Sequence, residues 1–152
     1  MSKAILISIK PKYVTDILNG KKTIEIRKTM PKCDLPIDVY IYCTKETNTK
    51  DEFYLNFIKA NQKVVAKFTL NKVEEWDIWQ EDLEKKLKLA CLSIKEFDDY
   101  SKGQVAYALH ISNLVIFDKP KELGDFTNCD EYPYTRYIRK APQSWCYVEV
   151  LS

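Results

Sequence analysis

The alternation of apolar and polar residues predicts short strands with helices inserted between them. Residues 4–9 form an apolar run rich in β-branched side chains, which is typical of a buried strand. Pro11 suits the first position of a helix, and Val14 and Ile17 then fall on one face before Gly20. The chain is therefore expected to open with a strand and a helix of about two and a half turns.

A second strand is predicted directly after that helix, because polar and apolar residues alternate there. Successive side chains of a strand point to opposite faces, so Ile24 and Ile26 should face the core. Thr23, Glu25 and Arg27 should share the other face. This grouping of a hydroxyl, a carboxylate and a guanidinium makes the strand a candidate for function.

The same signals divide the rest of the chain. Strands are predicted over residues 38–43, 63–70 with a broken continuation to Trp76, 105–111, 114–117 and 144–151. Helices are predicted over residues 81–90 and after capping-box sequences that begin at Thr49 and Ser93. The two residues Ser112 and Asn113 indicate either a hairpin or a bent strand, and Pro120 is expected to end it. Residues 121–142 show the least regular pattern.

These elements indicate an α+β fold in one domain. Strands at both ends of the chain with helices between them favour a mixed sheet that curls into a small β-barrel. A chain of 152 residues, 45% of them hydrophobic, can bury one sizeable core but hardly two. We therefore expect a single domain over residues 1–152.

Charge is distributed unevenly along the chain. The formal net charge is only +2, which is too small to indicate a nucleic-acid partner by itself. Residues 1–32, however, hold eight basic side chains against Asp16 and Glu25. This basic segment indicates either an anion-binding face or simple solvation of the surface.

Cysteine usage and the N-terminus bear on the cellular location. The five cysteines are scattered without a C-x-x-C pair, and the chain has a single histidine, so no metal site is expected. Buried reduced thiols are the simpler interpretation. No signal-peptide core and no long apolar run is present, so we expect a cytoplasmic protein without a membrane partner.

Two segments carry a resemblance to a known family. Residues 7–11, ISIKP, and 17–27, ILNGKKTIEIR, resemble the defining signature of the ASCH family, a strand, a helix and a G-x-K-T-x-E-x-R strand. Weaker similarity continues through residues 40–44, 64–70, 107–111 and 142–149. The resemblance implies a PUA-like β-barrel with a cleft between helix and sheet, in a family thought to bind RNA. A few members are reported to hydrolyse modified nucleosides or cut RNA, and small bacterial and phage proteins are similar.

The residues of this signature suit an anion- or base-binding cleft on chemical grounds. Lys10, Lys22 and Arg27 are cationic donors of the kind that position phosphates. Glu25 would repel a phosphate, so it either pairs with a neighbouring cation or accepts a hydrogen bond from an exocyclic amine of a base. Candidate ligand-binding residues are therefore Lys10, Lys22, Thr23, Glu25, Arg27, Thr44 and Trp145, the last as a stacking surface.

Structural roles for the same residues remain open. Lys22, Glu25 and Arg27 could form a solvated salt-bridge network, although such surface pairs contribute under about 1 kcal/mol. His110 and Trp145 could be packing residues. The tyrosines and arginines of segment 132–140 suit single-stranded nucleic acid, but they could equally hold a loop against the barrel.

Three functional hypotheses follow. The first is binding of RNA or a modified nucleotide, without a cofactor. The second is a metal-independent ribonuclease or a modified-nucleoside amidohydrolase, with Lys22 and Glu25 as catalytic groups. The amidohydrolase pattern is incomplete, since Glu25 stands where those enzymes carry a hydroxyl residue. The third is a protein-interaction module that docks through the acidic helical segment 74–99.

Overall fold

A computed structural model describes residues 2–45, 62–129 and 136–151. The eight strands are β1 (Lys3–Ile9), β2 (Ile24–Arg27), β3 (Ile37–Cys43), β4 (Val64–Leu70), β5 (Val73–Trp76), β6 (Ala106–His110), β7 (Ser112–Lys121) and β8 (Trp145–Glu149). The three α-helices are α1 (Pro11–Leu18), α2 (Leu83–Lys88) and α3 (Ile94–Ser101), and a 3-10 turn spans Leu123–Asp125. The predicted capping box at Thr49 lies outside the described residues.

The strands form two sheets. The larger sheet has the order β7-β4-β3-β1-β8, in which β1 and β3 are parallel and the other pairs antiparallel. The smaller sheet has the order β2-β6-β5 and is antiparallel. Mixed sheets with helices inserted between strands confirm the predicted α+β fold class.

A bend between β6 and β7 carries the chain from one sheet to the other. Only Ile111 separates the two strands, and its backbone N–H donates to the carbonyl of Thr23 at 2.9 Å. Because β6 and β7 pair in different sheets, the bent-strand interpretation is correct and the hairpin is not. The backbone therefore passes directly from the smaller sheet to the larger sheet at this corner.

The expectation that Pro120 ends the strand pair is wrong. β7 continues to Lys121, which pairs with Val64 of β4. Strand β7 lies at the edge of the larger sheet, where the missing N–H of a proline can be tolerated. The proline therefore lies within an edge strand instead of ending it.

Three apolar clusters form the core of the described residues. The first lies between the larger sheet, α1 and the smaller sheet, and includes Ile5, Ile7, Val14, Ile17, Phe68 and Leu109. The second joins the smaller sheet to α2 and α3 through Ile24, Ile26, Trp76, Leu87 and Phe97. The third covers the other face of the larger sheet with Leu6, Tyr40, Phe126 and Val148.

The turn after α1 directs a charged side chain into the interior. Helix α1 begins at Pro11, and Gly20 follows it in the left-handed conformation at φ +84°. The backbone N–H of Lys22 then donates to the carbonyl of Asp16 at 2.8 Å, which folds the chain back under the helix. The side chain of Lys22 is buried as a result.

Among residues 2–45, 62–129 and 136–151, no helix is long and apolar enough to cross a membrane. Cys43 is buried, and burial raises the pKa of its thiol to about 11. Cys33, Cys91, Cys129 and Cys146 are only half-buried, so the expectation of buried thiols holds for Cys43 alone.

The capping box of α3 gives the first testable prediction. The Ser93 hydroxyl accepts from the N–H of Glu96 at 3.1 Å, and the Glu96 carboxylate accepts from the N–H of Ser93 at 3.1 Å. The substitution Ser93→Ala removes the first of these bonds and should lower the free energy of unfolding by about 1 kcal/mol in urea denaturation. Ser93→Asp, which restores an acceptor, should recover most of the loss; an equal loss in both variants would contradict the cap.

Candidate functional site

Three charged side chains of the predicted signature meet in one buried network. Oε1 of Glu25 lies 3.3 Å from Nζ of Lys22, and Oε2 lies 2.8 Å from Nη2 of Arg27. Lys22 is 2% exposed and Glu25 is 5% exposed. The sequence therefore identified the members of this network correctly, but the network is not a solvated one.

The burial follows from the direction of strand β2. Ile24 and Ile26 face α2 and α3 in the second apolar cluster, as the alternation predicts. Glu25 pairs in register with Leu109, which belongs to the cluster between the two sheets. The polar face of β2 is thus turned toward the larger sheet and not toward solvent.

Arg27 spans the gap between the sheets. Its Nη2 donates to the backbone carbonyl of Ser8 in β1 at 2.7 Å, and its Nη1 donates to the hydroxyl of Ser144, just before β8, at 3.2 Å. The hydroxyl of Ser8 in turn donates to the carbonyl of Pro142 at 2.7 Å. The guanidinium of Arg27 therefore joins the smaller sheet to β1 and to the segment just before β8.

Lys22 closes the other end of the network. Its Nζ donates to the carbonyl of Ala90 at 2.6 Å and lies 5.1 Å from the ring centroid of Tyr13. The ammonium group is thus enclosed by a carbonyl from the segment after α2, an aromatic ring from α1 and the Glu25 carboxylate. It is placed to hold Glu25 and not to reach a ligand.

The network keeps Glu25 ionised. Burial by itself raises the pKa of Glu25, but the charges of Lys22 and Arg27 and their hydrogen bonds outweigh it and hold that pKa below its ordinary value. The pKa of Tyr13 is raised by burial and by the charges of Glu96 and Glu25. Burial also raises the pKa of Tyr100, which the charge of Arg27 partly offsets.

A small pocket adjoins the Arg27 end of the network. Its apolar wall comes from Ile5, Ile7, Pro31, Val39, Phe68, Leu70 and Leu109, and Arg27, Thr29 and Trp145 complete the lining. The indole Nε1 of Trp145 donates to the hydroxyl of Thr29 at 3.1 Å, which fixes the ring at the pocket wall. The pocket thus combines an apolar wall, an aromatic ring and a buried cation.

The remaining predicted site residues lie apart from this pocket. Lys10 is exposed at the end of β1 and precedes α1, and the N–H of Thr44 donates to the carbonyl of Ile9 at 3.0 Å. These two residues share one end of the parallel pair β1 and β3. Thr23 is exposed, and its N–H donates to the carbonyl of Leu89 at 2.9 Å on the side of α2.

The structure also describes His110, segment 74–99 and part of segment 132–140. Nε2 of His110 lies 2.6 Å from Oε1 of Glu74, a partly exposed pair on β6 and β5. In segment 74–99, Leu83, Leu87 and Phe97 are buried in the second apolar cluster. In segment 132–140, Arg136, Tyr137, Arg139 and Lys140 are exposed, whereas Tyr132 and Tyr134 lie outside the described residues.

Sequence reasoning missed several members of the site. Ser8, Tyr13, Thr29 and Ser144 all contact the network or the pocket wall. A serine inside an apolar strand run was a signal for Ser8, since the position interrupts an otherwise continuous apolar pattern. Thr29 lies outside the regular strands, and Ser144 is the first residue of the strand predicted over residues 144–151 but lies just before β8. The alternation of apolar and polar residues does not indicate which partners such positions contact.

The described residues offer no cluster of three or more His, Cys, Asp or Glu side chains that would hold a metal ion. The donor set at the pocket is cationic and aromatic. Chemically, the apolar wall of the pocket and the Trp145 ring suit a planar group, whereas the guanidinium of Arg27 already donates to Ser8, Glu25 and Ser144.

Comparisons with known proteins agree with this architecture. A crystal structure of ASCH from Zymomonas mobilis superposes with a TM-score of 0.63 at 22% identity, covering 95% of this chain and 86% of that chain. Crystal structures of two mutants of ZmASCH from the same organism give TM-scores of 0.60 and 0.61 at 21% identity, covering 95% of this chain and 88% and 87% of theirs. Likeness at this identity concerns the fold. A search of curated proteins finds no match.

The family assignment rests on the sequence itself. The family model described as ASCH domain matches residues 7–151, which is nearly the whole chain and includes the network, β8 and all the listed pocket residues except Ile5. The chain belongs to the ASCH domain family.

Proposed function

We propose that this protein binds RNA or a modified nucleotide at the rim of the small pocket lined by Arg27, Thr29 and Trp145. The observation that carries the proposal is the position of Arg27, whose guanidinium is held by Glu25 at the edge of an apolar pocket walled by an indole ring. Proteins that recognise unstacked bases combine aromatic or guanidinium planes with hydrogen-bond donors in this way. The pocket itself has room for about one water molecule, so a base would stack on Trp145 at the pocket rim and would not enter it.

The network members take different roles in this proposal. Arg27 contacts the ligand, because it is the only one of the three that lines the described pocket. Lys22 and Glu25 are positioning residues, since both are buried and both oxygens of Glu25 already face cations. A base amine that binds Glu25 would have to replace one of these partners. The structure therefore favours Glu25 as the support of Arg27 over Glu25 as a direct reader of the base.

The same geometry bears on the two other hypotheses. A catalytic Lys22 would need to reach a substrate, but its Nζ already bonds to the Ala90 carbonyl and to Glu25. In segment 74–99, Leu83, Leu87 and Phe97 are buried in the second cluster and need no docking partner to cover them. Trp79, Leu89 and Ile94 of the same segment are exposed. Binding is therefore the function that the site supports best.

The proposal predicts a selective role for Trp145 in binding. The substitution Trp145→Leu should weaken binding of single-stranded RNA or of a modified nucleoside by about tenfold or more, because base stacking on an aromatic ring is lost. The affinity can be measured by fluorescence anisotropy with labelled RNA and by thermal shift with a panel of modified nucleosides. Each mixture should also be analysed for reaction products, because their presence would show that the site is catalytic.

Trp79→Leu is the matched control. Trp79 is 89% exposed between β5 and α2, away from the pocket lining, so its loss should leave the affinity unchanged. Equal affinities of wild type and Trp145→Leu would remove the stacking role of this residue. If the wild-type protein binds neither RNA nor any nucleoside, the proposed function is wrong.

The support of Arg27 by Glu25 predicts a pH-dependent contribution to stability. The pKa of Glu25 is lowered in the folded protein, so its contribution is fully present above its ordinary value of 4.5 and is lost as the pH falls through the folded pKa. Glu25→Gln should therefore cost about 3 kcal/mol of unfolding free energy at neutral pH, since it leaves two buried cations without their counter-charge. The difference from wild type should narrow progressively below pH 4.5.

Urea denaturation of both proteins over a pH series measures this difference. Glu84→Gln, an exposed change on α2, is the matched control and should show a small effect at every pH. A Glu25→Gln penalty that stays constant as the pH falls would show that the charge of Glu25 does not hold the network together.

A further inference from the structure

Strand β7 forms an open edge of the larger sheet. Among the described residues it pairs only with β4, where Val115 lies opposite Lys67 and Ile116 lies opposite Ala66. The outer side of an edge strand presents backbone N–H and C=O groups that have no strand partner. The outer side of β7 is therefore open to pairing with a further strand.

This edge lacks the usual protection against such pairing near its centre. Natural edge strands are commonly blunted by lysine, by proline or by bulges. Residues 112–117 contain no charged side chain and no proline, and Val115 and Ile116 are 46% and 51% exposed. Register shifts interrupt the pairing with β4 on both sides of these two residues, so the regular part of the open edge is short.

Both faces of the short edge are apolar. Leu114 packs against the first apolar cluster and Phe117 against the third. Successive side chains of a strand alternate, so Leu114 and Ile116 share one face, and Val115 and Phe117 share the other. A strand added at this edge would cover Val115 and Ile116 and would extend the apolar clusters on both faces.

We propose that a second copy of this chain occupies the edge through its own β7, in a two-fold symmetric dimer. The two five-stranded sheets would then form one continuous sheet. Two strands related by a two-fold axis perpendicular to the sheet are antiparallel, and each pair joins residues that point to the same face. With the axis at Val115, this residue faces Val115 of the second copy, and Leu114 faces Ile116 of the second copy.

The charges of β7 favour this register and this occupant. The charged side chains of the strand all lie on one side of Val115, and they are Asp118, Lys119 and Lys121. The antiparallel register places this charged half beside the uncharged half of the second copy, so that Asp118 faces the hydroxyl residue Ser112. A parallel register would instead place each charge beside its own copy, which is destabilising. The strand is thus complementary to itself in the antiparallel direction.

The short edge predicts a weak dimer. About five residues of each copy would pair, which is well below the roughly 800 Å² per partner that a stable interface buries. We therefore expect a dissociation constant between about 10 μM and about 1 mM, as in transient complexes. The dimer should form as the protein concentration rises through this range.

The first test measures the oligomeric state of the whole chain by sedimentation velocity from about 10 μM to about 1 mM, a range that spans the expected affinity. Wild type should shift from monomer to dimer. Val115→Lys should raise the dissociation constant about tenfold or more, because it places two ammonium groups beside each other at the axis. Val105→Lys is the matched control, since Val105 is 44% exposed but lies outside β7, just before β6. It should dimerise like wild type.

Hydrogen exchange locates the interface. The amides of residues 112–117 should exchange more slowly at high than at low protein concentration in wild type, and the difference should vanish in Val115→Lys. A wild type that stays monomeric at about 1 mM overturns the proposal. So does a dimer that survives Val115→Lys, or a protection of residues 112–117 that is independent of concentration, because the edge would then be covered from within one chain.

Discussion

The ion pair between Glu25 and Arg27 is the interaction on which the candidate site depends. It fixes a guanidinium that reaches from the smaller sheet to the backbone of β1 and to the segment before β8. A buried charge is costly unless it is paired and hydrogen-bonded, and here Glu25, the Ser8 carbonyl and the Ser144 hydroxyl are the partners of Arg27. Lys22 completes the set, since it balances the carboxylate from the other side.

The proposed function gives this buried charge network a role at the protein surface. Most of the network is enclosed, but Arg27 also lines a pocket whose wall includes Trp145. A side chain that is held at several points loses little conformational freedom when a ligand binds beside it, so the entropic cost of binding is low. In the proposed function, the network is the rigid support of Arg27, and the ligand is recognised at the Arg27 end.

Two features of the chain path bring these groups together. The turn at Gly20 directs Lys22 beneath α1, and the bend at Ile111 places the smaller sheet over the larger one. Strand β8 then returns from the end of the chain to pair with β1, which places Trp145 and Tyr147 beside the first strand. Residues distant in the chain, Ser8 and Ser144 among them, meet at Arg27 for this reason.

The sequence by itself determined the α+β class, most strands and helices, and the group Lys22, Glu25 and Arg27, because these follow from local periodicity and from a signature of adjacent residues. It did not determine that this group is buried, since the alternation in β2 defines two faces without saying which layer covers the polar one. It also placed Lys10, Thr23 and Thr44 in one site with Arg27, whereas the structure separates them from the pocket lining. Only the tertiary structure decided that a bent strand and a returning C-terminal strand would bring Thr29, Ser144 and Trp145 to Arg27. Contacts between residues more than a hundred positions apart depend on the packing of whole layers, which local patterns do not encode.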